Sequence, residues 1–550
     1  MNIDRRDLLK GAALGAVATA SAGIAGTALA GEASAEAAIE LPKGLTMAAI
    51  EESSVVLETI TDFVDEKSYD VVVVGAGTAG VPAVWGALEE GATVACLQKE
   101  VQPYANGNGS SGVILEESND LGILQYKQNW RTEGGYRMNP ELLDLFTQHS
   151  GETIMWMLAK SHEVGFPPVS TSVTNNEYDE GNICTVVMNS FGPKPKNNTD
   201  IMVALADAAA EQGAEFFYET PAVQLVVEDG AVKGVIAQTA EGYVKFNAAK
   251  AVIIAAGDYQ NNETLVEQYS PDVVPFARKQ FNRTGDGIIM SILAGGRMVP
   301  VNHAKTMHDM DAAPMLMTFY PFMAVKSDGK RFMNEDIPME SWDLSLIWNK
   351  NEEDRGHFCR IFDNAYQDKY GARTSIESLE NYIPGYLESP QGVYTGLTDT
   401  HRADTLEELA EMLGIDAEGL VASVEAWNQH CADGADTEFG LSKEKLHAID
   451  TPPYWGIRQW IRCSAINAGV VVDGCCRVLD ENDEPIPGLY SVGSGAGNIC
   501  GGLEWNLAQG GLCCGSYMTM GRYAGIHAVK GEMVPSNPAS YEDTKQYWTK

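Results

Sequence analysis

The chain predicts an α/β fold. A Rossmann-like, mainly parallel sheet draws its strands from two separated stretches of sequence, and an α+β insertion lies between them. Three observations carry this. Tyr69-Asp70-Val71-Val72-Val73-Val74 is an apolar strand that runs straight into Gly75-Ala76-Gly77-Thr78-Ala79-Gly80. Lys250-Ala251-Val252-Ile253-Ile254 is a second buried strand, ending in Ala255-Ala256-Gly257. Pro485-Ile486-Pro487-Gly488-Leu489-Tyr490-Ser491-Val492 is a third, ending in Gly493. Between the last two, from residue 313 to 450, tryptophans, charges and helical periodicity accumulate, notably over 406–413 and 417–430.

The first segment is the most informative. Four consecutive valines fit a strand covered on both faces. Gly75 permits the tight turn, Gly77 lets backbone approach a pyrophosphate, and Gly80 lets the next helix pack on the strand. That helix, 81–90, aims its N-terminus at the phosphates. Glu90-Gly91 ends it, and 92–97 reads as the second strand. Strand, glycines, helix and strand in this order specify a dinucleotide site. An acidic side chain about 20 residues on normally takes the ribose hydroxyls. In register that position is Gln98, a neutral substitute, with Glu100 as the alternative if the strand end shifts across Lys99. Asn106-Gly107-Asn108-Gly109-Ser110-Ser111-Gly112 is a polar glycine loop whose N–H groups can cradle phosphate or ribose. A plain surface loop is its other reading.

The remaining elements follow in order. Helix 140–160 carries Leu142, Leu143, Leu145 and Phe146 on one face, with Ile154, Met157 and Leu158 further along. Helix 200–212 is capped by Thr199 or Asp200. A meander covers 215–218, 222–228, the Asp229-Gly230 turn, 232–239 and 243–247. After the insertion the chain returns through 469–474 and 477–480 to the strand ending in Gly493. Gln509-Gly510-Gly511 then opens a last helix that runs through Gly521-Arg522-Tyr523-Ala524-Gly525. Its first turn offers unpaired N–H groups to an electron-rich ring.

At 550 residues the chain is too long for one compact core and fits two domains. Its 45% hydrophobic and 21% charged content suits a folded soluble protein. The net charge of −38 argues against nucleic acid and anionic membrane surfaces as partners. It reads as a solvated acidic surface or as a docking face for a basic electron-transfer partner. Arg5-Arg6-Asp7-Leu8-Leu9-Lys10, an Ala/Gly-rich apolar stretch and Ala28-Leu29-Ala30 form a twin-arginine signal peptide rather than a membrane anchor. No other apolar run reaches about 18 residues. The mature protein is therefore expected to have no membrane span and to be periplasmic or otherwise extracytoplasmic. Ten cysteines show no C-x-x-C spacing, which argues against covalent haem and the usual zinc or ferredoxin sites. Cys475-Cys476 and Cys513-Cys514 read as small buried residues. Nine histidines form no H-x-x-x-H pair, and no metal is expected.

The fingerprint at 71–80, Ala255-Ala256-Gly257, Gly285-Asp286-Gly287, Gly329-Lys330-Arg331-Phe332-Met333-Asn334-Glu335, Ile486-Pro487-Gly488-Leu489-Tyr490 and Gly521-Arg522-Tyr523-Ala524-Gly525 occur in one order from 68 to 528. Together they resemble the flavoprotein superfamily of fumarate reductases, urocanate reductases and 3-ketosteroid dehydrogenases. The resemblance implies bound FAD, an FAD-binding domain split in sequence and an inserted capping domain. It divides the chain into a signal peptide (1–30), a linker (31–67), a leading FAD-binding segment (68–312), the cap (313–450) and a returning FAD-binding segment (451–550). It places the cofactor on Gly75, Ala76, Gly77, Thr78, Ala79, Gly80, Gln98, Lys99, Glu100, Asn106, Gly107, Ser110, Ser111, Gly112 and Val223. Further contacts are implied from Ala256, Gly257, Asp286, Gly493, Gln509, Gly510, Gly511 and Leu512.

The resemblance breaks where fumarate would bind. Fumarate-type members place a proton-donating Arg eight residues after Arg331, where this chain has Met339. Ala508 stands where they carry a carboxylate-binding Arg, and Ala465 where they carry a His. Among the polar substrate-site residues, His308 is retained. A dicarboxylate leaving water needs charge-assisted partners, and alanines cannot supply them. Fumarate is therefore excluded as substrate. Trp505, Met339, Met333, Leu507 and Phe322 suggest a larger, apolar pocket, with ordinary core packing as the other reading.

The expected reaction is reduction of an activated C=C bond in an enone, enoate or unsaturated lactone. It needs a proton donor and hydrogen bonds to the developing enolate. Candidates are Tyr320, Arg331, Glu335, Arg462, His308 and Glu504. Arg331 and Glu335 read alternatively as a structural pair tying cap to FAD domain, Tyr320 as a core tyrosine, and Glu504 as a surface residue. The same groups run backwards give a 3-ketosteroid-type dehydrogenase, and a flavin electron carrier without substrate chemistry is a third possibility. No haem or FMN segment is present, so electrons are expected from a separate cytochrome or quinol-linked donor.

Overall fold

The computed structural model describes residues 41–301, 303–338, 341–348, 354–501 and 510–548. The segment 1–30 expected to be a signal peptide, Met339, Glu504, Trp505, Leu507, Ala508 and Gln509 lie outside the described residues.

The site-forming elements, in chain order, are β1 (Asp65–Val74), α1 (Gly80–Glu89), β2 (Val94–Leu97), β3 (Glu215–Phe217), β4 (Gly242–Ile254), β5 (Lys305–His308), β6 (Arg462–Ile466), β7 (Arg477–Leu479), β8 (Pro485–Ser491) and α2 (Leu512–Lys530). The central sheet runs β7-β8-β4-β1-β2-β3. β1 is parallel to β2 and β4, and β8 is parallel to β4. Val71, Val72 and Val73 are fully buried, as a strand covered on both faces requires. Register aligns Val74, Leu97, Ile254 and Ser491 at one edge, so four loops leave the sheet together at its carboxyl end. That edge is where open α/β sheets bind ligands.

The meander differs from the sequence reading in one respect. The segments at 243–247 and 250–254 are a single strand, β4. It pairs in parallel with β1 along nearly its whole length, while on its other side the first half pairs antiparallel with Ala231–Thr239 and the second half pairs in parallel with β8. The 106–112 stretch also changes character at Gly109, where Gly109–Ile114 becomes a strand paired with Ile183–Ser190. Asn197, not Thr199 or Asp200, caps the helix Asn198–Glu211. Its side chain takes the Thr199 N–H and Asp200 reaches back to its own N–H.

Glycines explain how α2 seats on α1. A Cβ at Gly521 would stand 2.0 Å from the Ala79 carbonyl oxygen, one at Gly525 2.3 Å from that of Ala83, and one at Gly86 2.1 Å from that of Arg522. The Gly521-Arg522-Tyr523-Ala524-Gly525 signature is thus a backbone-to-backbone contact. Arg522, fully buried, carries its charge onto Glu89 at 2.7 Å and Glu152 at 3.0 Å.

The chain between β5 and β6 builds a four-stranded antiparallel sheet from Met323–Val325, His357–Asp363, Tyr454–Trp460 and Thr400–Ala403. Helices Leu406–Leu413 and Ala417–Asp433 cover one face through Leu409, Leu413, Leu420 and Trp427. Phe322, Phe362, Tyr366 and Trp455 fill a cluster on the other. Phe322 stacks on Phe362 at 4.3 Å and is a core residue rather than a pocket wall. Met333 is likewise buried in the main core. None of the described helices is long and apolar enough to cross a membrane.

Candidate active site

The fingerprint glycines do different jobs. Gly75 has φ 104°, and a Cβ there would lie 2.4 Å from the Ala255 carbonyl oxygen. One at Gly80 would lie 1.8 Å from the Gly75 oxygen, so the turn closes only without side chains. Gly77 faces the cleft, with just the Tyr104 carbonyl oxygen near its missing Cβ, at 2.9 Å. Gly75, Ala76, Gly77, Gln98, Glu100 and Ala256 border this cleft at the carboxyl edge of the sheet. Thr78 Oγ1 accepts the Asn106 N–H at 3.1 Å and so ties the glycine loop to the fingerprint. Ala79 backs the turn, with its Cβ 3.1 Å from where one on Gly493 would stand.

The ribose-position residues are partly engaged. Gln98 is buried and donates from Nε2 to the Gln102 carbonyl at 3.0 Å. Glu100 accepts from Asn282 at 2.7 Å. Lys99 pairs with Asp286 at 3.0 Å, and Asp286 also takes the Ser54 N–H and the Thr284 hydroxyl. This pair locks the end of β2 to the helix Asp286–Leu293. Val223 lies in the hairpin beside the cleft, and its carbonyl accepts from Val56.

The glycine loop meets the start of α2, where Ser111 donates its N–H to the Gly511 carbonyl at 3.1 Å. Gly511, at φ 76°, is the residue before α2, and Leu512 is fully buried behind it. Gly510 is exposed. Gly107 lies against Cys514, and a Cβ on Gly112 would meet the Ser150 carbonyl oxygen at 2.4 Å, which makes Gly112 a packing residue. The Ser110 and Ser111 hydroxyls are buried and have no partner among the described residues. Buried hydroxyls are normally hydrogen-bonded. Two such groups, beside side-chain-free backbone and a helix N-terminus, fit a polar, anionic cofactor.

Sequence reasoning missed Arg283, which borders the cleft, and Asp258, which lies within reach of its charge. Asp258 is fully buried, and burial pushes its carboxyl above the ordinary range even though Gln260 and the Ile466 N–H donate to it. Arg283 lies over Gly257: its Nη1 is 2.4 Å from where a Cβ on that glycine would stand. No periodicity or motif marks either residue. Their meeting depends on how the loops after β4 fold back.

Six residues were candidates for the chemistry. His308 and Arg462 are brought together as direct partners on antiparallel β5 and β6. Burial, and then the charge of Lys279, holds the His308 imidazole far below its usual value, so it is neutral. Its Nδ1 and the Arg462 Nε are buried without a partner among the described residues. Arg331 and Glu335 are elsewhere. They form a buried knot with Asp436 at 2.9 Å from Arg331, and the guanidinium is held between Trp427 and Phe439. Rather than linking the insertion to the parallel-sheet domain, this knot closes the insertion on itself, since all five residues lie within it. Tyr320 packs with Phe322 and Tyr370 in the aromatic cluster.

A family model described as the FAD binding domain matches residues 70–512. The chain belongs to this FAD-binding family. It is an FAD-dependent oxidoreductase of the flavoprotein superfamily that its motifs resemble, and FAD is its cofactor. Among curated relatives, fumarate reductase (cytochrome) of Shewanella frigidimarina is 26% identical over 493 residues, covering 84% of this chain and 77% of that protein. Vinyl phenol reductase of Lactiplantibacillus plantarum is 24% identical, covering 84% and 97%. Among solved structures, an open conformation of a flavocytochrome c3 fumarate reductase aligns with TM-score 0.64 at 23% identity, over 84% of this chain and 78% of that one. The 3-ketosteroid Δ1-dehydrogenase of Sterolibacterium denitrificans aligns with TM-score 0.61 at 19% identity, over 85% and 100%. FAD is the anionic cofactor that the Ser110, Ser111 and Gly511 cradle fits.

Proposed function

We propose that the protein is an exported reductase of an activated C=C bond in a bulky, mostly apolar enone, enoate or unsaturated lactone, fed with electrons by a separate cytochrome or quinol-linked donor. In this reading 68–312 and 451–550 bind FAD and 313–450 caps it, with Tyr454–Trp460 lent to the cap's sheet. The observation that carries the reading is the facing pair His308 and Arg462. The relatives named as reductases of fumarate and vinyl phenol support the reaction class. Ala465 on β6, where fumarate-type members carry a histidine, argues against a dicarboxylate.

Bound FAD supplies the hydride for the β-carbon. The chain's own contribution is electrostatic. A neutral imidazole donates a hydrogen bond without giving up its proton, so His308 holds the oxygen on which charge develops. Arg462, always charged, stabilises that charge from the neighbouring strand. The test is an anaerobic screen of the reduced holoenzyme against unsaturated acids, enones, lactones and steroids. Reoxidation by at least one, with the saturated product, is expected; fumarate should give none. If no compound reoxidises the flavin, the reductase reading fails. Arg462→Ala should lower kcat/KM by about 10²-fold, the usual effect of losing one charge-stabilising donor, and Tyr320→Phe should stay within about threefold.

A further inference from the structure

Four groups from separate regions of the chain meet beside His308. Asp311 accepts from Lys194 at 2.9 Å and from Lys279 at 3.0 Å, and the Arg462 guanidinium lies 3.6 Å away. Lys194 also donates to the Met310 carbonyl at 3.0 Å. Asp309, next to them, has its carboxylate taken by the backbone N–H groups of Asp311, Ala312 and Trp460. Three cations against two carboxylates leave one positive charge, because His308 is neutral.

The strand register shows what this charge faces. His308 pairs with Arg462 and Thr306 with Ala465, and a bulge at Ser464 absorbs the extra residue. Directly paired residues share a face, and alternate residues of β5 do too. The bulge therefore puts His308, Arg462, Thr306 and Ala465 on one side of the ribbon. The Nδ1 of His308 and the Nε of Arg462 are buried there without a partner among the described residues, and the Arg462 side chain is only 9% exposed. Burying an excess charge beside unpaired donors is costly unless a ligand completes the set.

We infer that Lys194, Lys279 and Arg462 form a binding site for one carboxylate of the substrate, built from residues other than the missing family arginines. This rests on the reductase reading and narrows it to unsaturated monocarboxylic acids. When hydride from reduced FAD adds at the β-carbon and a proton from water at the α-carbon, negative charge builds on the conjugated carboxylate's oxygens in between. An excess cation at those oxygens stabilises that charge more than the ground state.

Binding decides the matter independently of turnover. The oxidised holoenzyme is titrated with 3-phenylpropanoate and with its methyl ester, following the flavin absorbance. The acid should bind at least tenfold tighter, and Lys194→Met with Lys279→Met should abolish the preference while FAD content stays unchanged. Should that double variant lose FAD, Lys194→Gln alone is used, and it should cut the preference at least threefold. Equal binding of acid and ester by the wild type overturns the inference, as does a preference that survives these substitutions. A clear preference for the acid with no alkene reduced would uphold the anion site and sink the reductase reading.

Discussion

At the scale of single residues, environment decides role more than residue type does. Arg331 and Arg462 are both buried arginines within reach of carboxylates, yet they differ in what surrounds them. Arg331 meets Glu335 and Asp436, with Glu438 at 3.4 Å, and is saturated. Arg462 shares one carboxylate with two lysines and keeps an unpartnered Nε. The first arrangement is structural and the second is fit for a ligand. Although burial opposes it, Arg331 and the backbone N–H groups of Leu441 and Glu438 hold Asp436 well below the usual carboxylate range. A depressed folded pKa means that Asp436 stabilises the protein at neutral pH and that this is lost as acid titrates it. Arg331→Leu, which strands two buried carboxylates, should cost about 3–5 kcal/mol in denaturant unfolding at pH 7. The variant should also lose Asp436's share of the wild type's acid sensitivity, and an unchanged unfolding midpoint would refute the structural role.

Among the elements, the fingerprint strand and helix were legible because their requirements are local. Valines cover both faces of β1, and glycine alone fits where backbone meets backbone. The same logic makes the α1–α2 crossing a hard constraint. Gly86→Ala puts a methyl group 2.1 Å from a backbone carbonyl oxygen that has no rotamer to escape through. Overpacking of this kind costs about 1–3 kcal/mol or more. The variant should melt earlier and retain less FAD, because α2 starts against the Ser110–Ser111 loop; a variant with full FAD content and wild-type stability would contradict this account. Less legible were the long β4 strand and the Asn197 cap. Both depend on which neighbour the segment meets, antiparallel hairpin or parallel sheet in one case and the Ala105–Asn106 loop in the other.

For the whole molecule, the dominant property is an acidic surface, with a net charge of −38. A potential of that sign steers cationic donors, and salt screens it with a Debye length of about 10 Å at 0.1 M. With reduced methyl viologen as donor, the second-order rate constant for flavin reduction should therefore fall as ionic strength rises from about 0.01 to 0.5 M. A rate indifferent to salt would assign the charge to solvation alone.

The sequence by itself determined the parallel sheet, the dinucleotide turn and the cofactor class, because each is written in a contiguous run or at a fixed offset from one. Only the tertiary structure decided that the substrate side still holds a positive charge. Lys194, Lys279, Asp311 and Arg462 lie on four distant segments, and no spacing rule relates them. Coulomb interactions act through space, and the bulge that turns Arg462 toward His308 exists only once β5 and β6 have paired.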